Sequence, residues 1–198
     1  MKLVTNGVIA IPLIPECRTT SIRDWATMTN FTIIDNNYIN LEFIIPYRKS
    51  YDRIIRAIAA DLNELMLNEG LFELNKQKWN DVADIGTDFI TKWFSTARLP
   101  IEKDFCHSQY YIAYFDNSIT NKKFIDVDEI DKLPTYIKQT YNLNVPPIPD
   151  LPIWFHDHCV PIELIKDYYN KDTKIKNLID EYCIRDQQLL KNIVTEFI

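Results

Sequence analysis

Three glycines in 198 residues, Gly7, Gly70 and Gly86, set the strongest limit on what this chain can become. Dinucleotide-binding turns and P-loops need clustered glycines, because the backbone must approach phosphate closely and adopt positive φ. No two of these three lie within ten residues of each other. A kinase-type Gly-rich loop, a Walker A loop and a G-x-S-x-G nucleophile elbow are therefore all absent. Large parts of nucleotide and acyl-transfer chemistry drop out with them.

The length fits one domain, or one domain with an arm, and 46% hydrophobic and 13% aromatic residues are enough to fill a core. The net charge is −6, and Lys and Arg never run longer than two in a row. A nucleic-acid surface shows as a basic patch, so direct sequence-specific nucleic-acid binding is not expected. No stretch approaches the roughly 18 apolar residues of a membrane helix, so no membrane partner is expected either. The apolar run Gly7–Ile14 carries Pro12 and is followed by Pro15, and it reads as a strand. Four scattered cysteines, Cys17, Cys106, Cys159 and Cys183, contain no C-x-x-C pair. Reduced thiols follow, and with them a cytoplasmic site of synthesis.

Along the chain, Asn6-Gly7 predicts a hairpin over residues 1–14, with Pro12 and Pro15 limiting or ending its second arm. Residues 16–29 read as a polar loop. Phe31–Asp35 and Tyr38–Ile45 read as a second hairpin turning at Asn36-Asn37, closed by Pro46. Ile54, Ile58, Leu62 and Leu65 share a face of a helix from Ser50 to Glu69, stopped by Gly70. A second helix, Gln77–Ala97, carries the stripe Trp79, Val82, Phe89, Ile90, Trp93 and Phe94. Gln109–Phe115 and Lys123–Val127 read as strands, and Asp128–Tyr141 as a helical piece broken at Pro134. Asn144–Pro152 holds too many prolines for helix or central strand and predicts a stiff extended arm. Helices follow from Pro161 to Tyr169 and from Thr173 onward. The expected fold is α+β: an antiparallel sheet of N-terminal hairpins packed against long amphipathic helices. Its expected divisions are a core over 1–143, an arm over 144–160 and a C-terminal helical segment over 161–198.

Chemistry is concentrated in Phe155–Cys159, which holds His156 and His158, while His107 adjoins Cys106. Imidazole and thiolate suit zinc, but structural zinc uses ligand pairs spaced by two to four residues, and Cys106-His107 are adjacent. His156-Asp157 resembles the HD dipeptide of metal-dependent phosphohydrolases, with His107 and Asp180 as partners. That resemblance implies a helical bundle around the dipeptide, whereas here it follows a proline arm. Asp81, Asp84 and Asp88 line one helical face opposite the aromatic stripe, where a solvated face belongs. The acids of Asp126–Asp131 lack the glycine and final glutamate of an EF-hand and fit a helix start.

No catalytic residue, cofactor or metal is therefore expected. The leading expectation is a non-enzymatic structural subunit of a larger complex, meeting other subunits in a homo-oligomeric ring or hetero-assembly. Its interface is expected on the arm: Val145, Pro146, Pro147, Ile148, Pro149, Leu151, Pro152 and Trp154. The chain holds 29 Ile and 16 Asn against 8 Ala, as an AT-rich coding sequence would give. That composition fits a virion component such as a neck or connector ring of a tailed phage. One alternative is a metal-dependent hydrolase using His107, His156 and Asp157. Another is a small immunity-type protein that binds a basic partner through residues 101–198, where 16 acids face 11 Lys and Arg.

Overall fold

The computed structural model describes residues 2–14, 17–35, 41–68, 83–96, 121–150, 162–191 and 196–198. They fall into two compact units, the first taking the described residues up to 49, those of 121–150 and those from 188 onward, and the second those of 50–96 and 162–187.

The first unit is built on a mixed sheet of five strands. These are β1 (Lys2–Thr5), β2 (Ile9–Pro12), β3 (Thr32–Asp35), β4 (Glu42–Tyr47) and β5 (Lys122–Asp126), in the order β3-β1-β2-β4-β5. The hairpin at Asn6-Gly7 forms as its sequence predicts, pairing Leu3 with Pro12 and Thr5 with Ala10. Gly7 takes φ +85°, a conformation that side chains resist. The Asn6 carboxamide oxygen accepts from the amides of Val8 and Ile9, both at 3.0 Å, and so fixes the turn. Pro12 ends β2 as expected.

The sheet is not purely antiparallel, and this corrects the sequence reading. β3 pairs antiparallel with β1, but β4 does not fold back on β3; it runs parallel to β2 and to β5. The reason lies in burial. Phe43, Ile44, Ile45 and Pro46 are all buried, whereas Thr32 and Ile33 of β3 are exposed. A strand covered on both faces belongs inside a sheet, in the setting that parallel strands need. Pro46 lies within β4 rather than closing it. The Phe43 amide donates to Asn121 O at 2.9 Å, so odd-numbered residues of β4 turn their amides toward β5. Pro46 turns the other way, beyond the Glu42 and Phe43 pairing with β2, and its missing N–H interrupts neither ladder.

Alternation divides the core into two faces. Leu3, Ala10, Phe43, Ile45 and Phe124 gather on one face with Ile14, Cys17 and Leu190. Val4, Ile9, Ile11, Ile44 and Ile125 gather on the other with Ile22, Trp25, Leu133 and Ile137. Two helices supply that second face. The first, α1 (Thr19–Thr27), occupies a stretch that reads as loop in the sequence. It buries Ser21, Ile22, Trp25 and Ala26, and it starts from Arg18 in the left-handed region, φ 59°. The α4 helix (Leu133–Tyr141) follows a 3-10 turn, Val127–Lys132, with Pro134 in its first turn. Asp126 caps that turn by accepting from the Asp128 amide at 3.0 Å, the role its acidic cluster predicts.

The second unit is helical among its described residues: α2 (Ser50–Asn68), α3 (Ala83–Thr96), α5 (Ile162–Lys171) and α6 (Thr173–Leu190), the last belonging to this unit as far as Gln187. The stripe of α2 is buried through Ile54, Ile55, Ile58 and Leu62. Ile90 and Trp93 of α3 join the same core. The sequence reading sets these two helices against the sheet; the core they enter is built with Ile165 of α5 and with Ile175, Ile179 and Cys183 of α6. The apolar stripe of a helix specifies that it is buried but not what buries it.

Candidate functional site

Three pieces of the first unit meet around a cleft of about 200 Å³. The turn after α1 brings Met28, Thr29, Asn30 and Phe31, and the β1–β2 turn brings Asn6. The chain leaving α4 brings Leu143, Asn144, Val145 and Pro146. Each piece is held by local chemistry. Thr29 Oγ1 donates to Ala26 O at 3.1 Å and accepts from the Phe31 amide at 3.3 Å. Asn142 turns the chain out of α4 in the left-handed region, φ 55°. Trp25, buried under α1, donates its indole N–H to Pro146 O at 2.8 Å.

The proline segment is thereby laid along its own unit. Residues 142–150 form neither helix nor strand. Val145 and Ile148 pack against the core that holds Trp25. Arg18 reaches Asp150 at 3.9 Å, an exposed pair of little energetic weight. Alongside, Met28 and Leu143 remain 55% and 36% exposed. Val8, 51% exposed, follows directly on the Asn6 turn. The cleft lining contains no group that titrates between pH 2 and 12. It offers thioether, aliphatic and aromatic surface together with three carboxamides, which suits a protein surface better than a reaction.

Polar groups elsewhere are drawn together within each unit, though Tyr141 Oη is buried with no hydrogen-bond partner among the described residues and the buried Nε of Arg53 makes no hydrogen bond. In the first unit, Tyr136 donates its hydroxyl to Glu42 Oε1 at 2.8 Å. Burial, reinforced by the Glu42 carboxylate, pushes the Tyr141 phenol far above the ordinary tyrosine range. In the second unit, Arg53 is fully buried and lies 3.5 Å from Asp186 Oδ1, while Ser50 donates to the other oxygen of that carboxylate. Arg53 also donates to the Tyr182 hydroxyl. Burial raises the Asp186 carboxyl despite the guanidinium beside it. Tyr169 donates to Asp180 Oδ1 at 2.8 Å, and that bond raises its phenol to about 12. Burial pushes the Cys183 thiol up to about 11, which removes the thiolate a nucleophile needs. In the second unit these pairs join α2 to α6 and α5 to α6, and in the first Tyr136 joins α4 to β4.

Of the interface residues expected from sequence, Val145 and Pro146 line the cleft, and Pro147, Ile148 and Pro149 continue the same segment. Leu151, Pro152 and Trp154 lie outside the described residues. So do Cys106, His107, His156, Asp157, His158, Cys159 and Asp81, and with them the predicted strand Gln109–Phe115. Asp88 is exposed, as expected of a solvated face. Among the described residues no three His, Cys, Asp or Glu side chains come together as a metal site. No helix among them is long and apolar enough to cross a membrane. Met28 and Leu143 were not singled out by sequence, and Asn6 only as part of a turn. The only signal of Met28 and Leu143 is an apolar side chain set among polar neighbours, and that signal is common on any surface.

Compared with protein-family models, curated proteins and solved structures, the chain matches none.

Proposed function

We propose that this chain is a non-enzymatic structural subunit that meets a neighbouring protein subunit through the cleft beside its proline segment. The observation that carries this reading is the cleft itself. Exposed Met28 and Leu143 flank a backbone segment, Val145–Pro149, that is already ordered by Trp25. Prolines reduce the freedom such a segment has to lose, so contact there costs little conformational entropy. Interface cores favour Met and are depleted in charge, and the lining holds Met28 and no charged side chain. Leu151, Pro152 and Trp154, expected from the sequence in the same interface, lie outside the described residues. A closed ring, such as the neck or connector of a tailed phage, is the most specific form of this reading.

The test is the mass of the purified chain in solution, measured for the wild type and for a Met28→Asp, Leu143→Asp variant. Both side chains are solvent-exposed, so the variant should keep its thermal midpoint within a few degrees. A wild type heavier than a monomer and a monomeric variant are the expected results. Closed rings in negative-stain images would support the ring form. A wild type that stays monomeric up to high micromolar concentration sinks self-assembly, and a variant that assembles as well as the wild type moves the interface elsewhere.

A further inference from the structure

Beyond β5, the sheet gains one more short piece of chain from residues 196–198. Phe124 pairs in parallel with Phe197. The Phe124 amide donates to Glu196 O at 2.7 Å, and the Ile198 amide donates to Phe124 O at 2.9 Å. Lys123 Nζ stands 3.4 Å from Glu196 Oε1. The Phe197 ring sits edge-on to Tyr47 at 5.7 Å and tilted to Phe124 at 6.1 Å. The receiving side of this contact is buried: Phe124 lies fully inside the sheet. The added segment is more exposed. Phe197 is 49% exposed, and the Glu196 side chain is 63% exposed.

We propose that residues 196–198 are an exchangeable strand, and that the β5 edge at Phe124 takes this segment from a second copy of the chain in place of its own as the protein concentration rises. The inference rests on the assembly reading above and names a second contact through which copies join. Two backbone bonds, a half-exposed ion pair, the half-buried Phe197 ring and the packing of Ile198 against the core hold the segment, still few contacts beside those of the whole fold, so it opens at a fraction of the cost of global unfolding. A sheet edge is a template for any strand of the right sequence. A second copy supplies the identical segment, so exchange replaces every contact with its equivalent, which is why swapping is a low-cost route to assembly. Lys123 adds a charge contact to the site. Its ammonium lies 5.4 Å from the Tyr136 ring centre and is raised in pKa by Tyr136 and Glu196, so it rewards an acidic residue at position 196.

The experiment mixes two full-length chains, Lys123→Cys and Glu196→Cys, under mild oxidation, with the double variant and the oxidised wild type in parallel. Peptide mapping of the non-reduced products identifies any disulfide between positions 123 and 196. Because the two cysteines lie on different chains, such a disulfide in the mixture can only be intermolecular. The expected result is that link in the mixture, rising with protein concentration, and an intrachain link in the dilute double variant. An intrachain link with none in the mixture at any concentration overturns the proposal, as does the absence of both. If the wild type is heavier than a monomer while the mixture gives no link, exchange fails and the assembly reading stands. If the wild type is monomeric, it is the assembly reading that fails.

Discussion

Trp25 and Trp93 are both almost wholly buried, and each keeps its indole N–H bonded: Trp25 to Pro146 O, Trp93 to Asp61 Oδ2 at 2.5 Å. A buried indole left unbonded would lose part of the benefit of its own burial. Trp93 sits in the core of the second unit against Phe94, ring centres 5.0 Å apart. Trp93→Ala should therefore cost about 3–5 kcal/mol, as for other buried large aromatics. Trp93→Phe keeps most of the volume and loses the bond, so it should cost about 1–3 kcal/mol. Chemical denaturation checks both, and a cost below about 1 kcal/mol for the alanine variant would contradict this packing.

At the level of elements, the extended segment 142–150 depends on the short helix α1 that the sequence hides. Trp25→Phe removes the donor to Pro146 O and should destabilise the chain by about 0.5–1.5 kcal/mol. Amide exchange at Val145 and Ile148 should speed up more than exchange at Ile44 in the sheet; equal changes at all three would mean the bond does not hold the segment. The α1 helix was illegible because only Ile22, Trp25 and Ala26 mark its face, too few for a period to stand out among polar residues. The α2 helix was legible for the opposite reason, with an apolar position on nearly every turn over 19 residues. The Asn6-Gly7 hairpin could be read because a turn is a local event. The supposed hairpin between β3 and β4 misled because β4's partners, β2 and β5, are set by long-range pairing that no local pattern encodes. At the candidate site, prolines made the segment visible, while the surfaces beside it came from elements distant in sequence.

For the whole molecule, charge and surface point to different modes of association, and salt separates them. The chain carries a net charge of −6, of which residues 101–198 hold 16 acids against 11 Lys and Arg. If association ran through that acidic half, as an immunity-type protein binding a basic partner would require, screening would weaken it strongly. The cleft beside Val145 and Pro146 has no ionisable lining residue, so contact there gains from apolar burial and amide bonds. Burial of that kind is insensitive to moderate salt. The apparent dissociation constant of self-association should therefore change less than about threefold between 50 and 500 mM sodium chloride, since screening acts on charge. The half-exposed ion pair at Lys123–Glu196 adds little to that slope. Sedimentation at several salt concentrations measures it directly. A weakening of about thirtyfold or more across that range would assign association to charge and move the functional surface from the cleft to the acidic half.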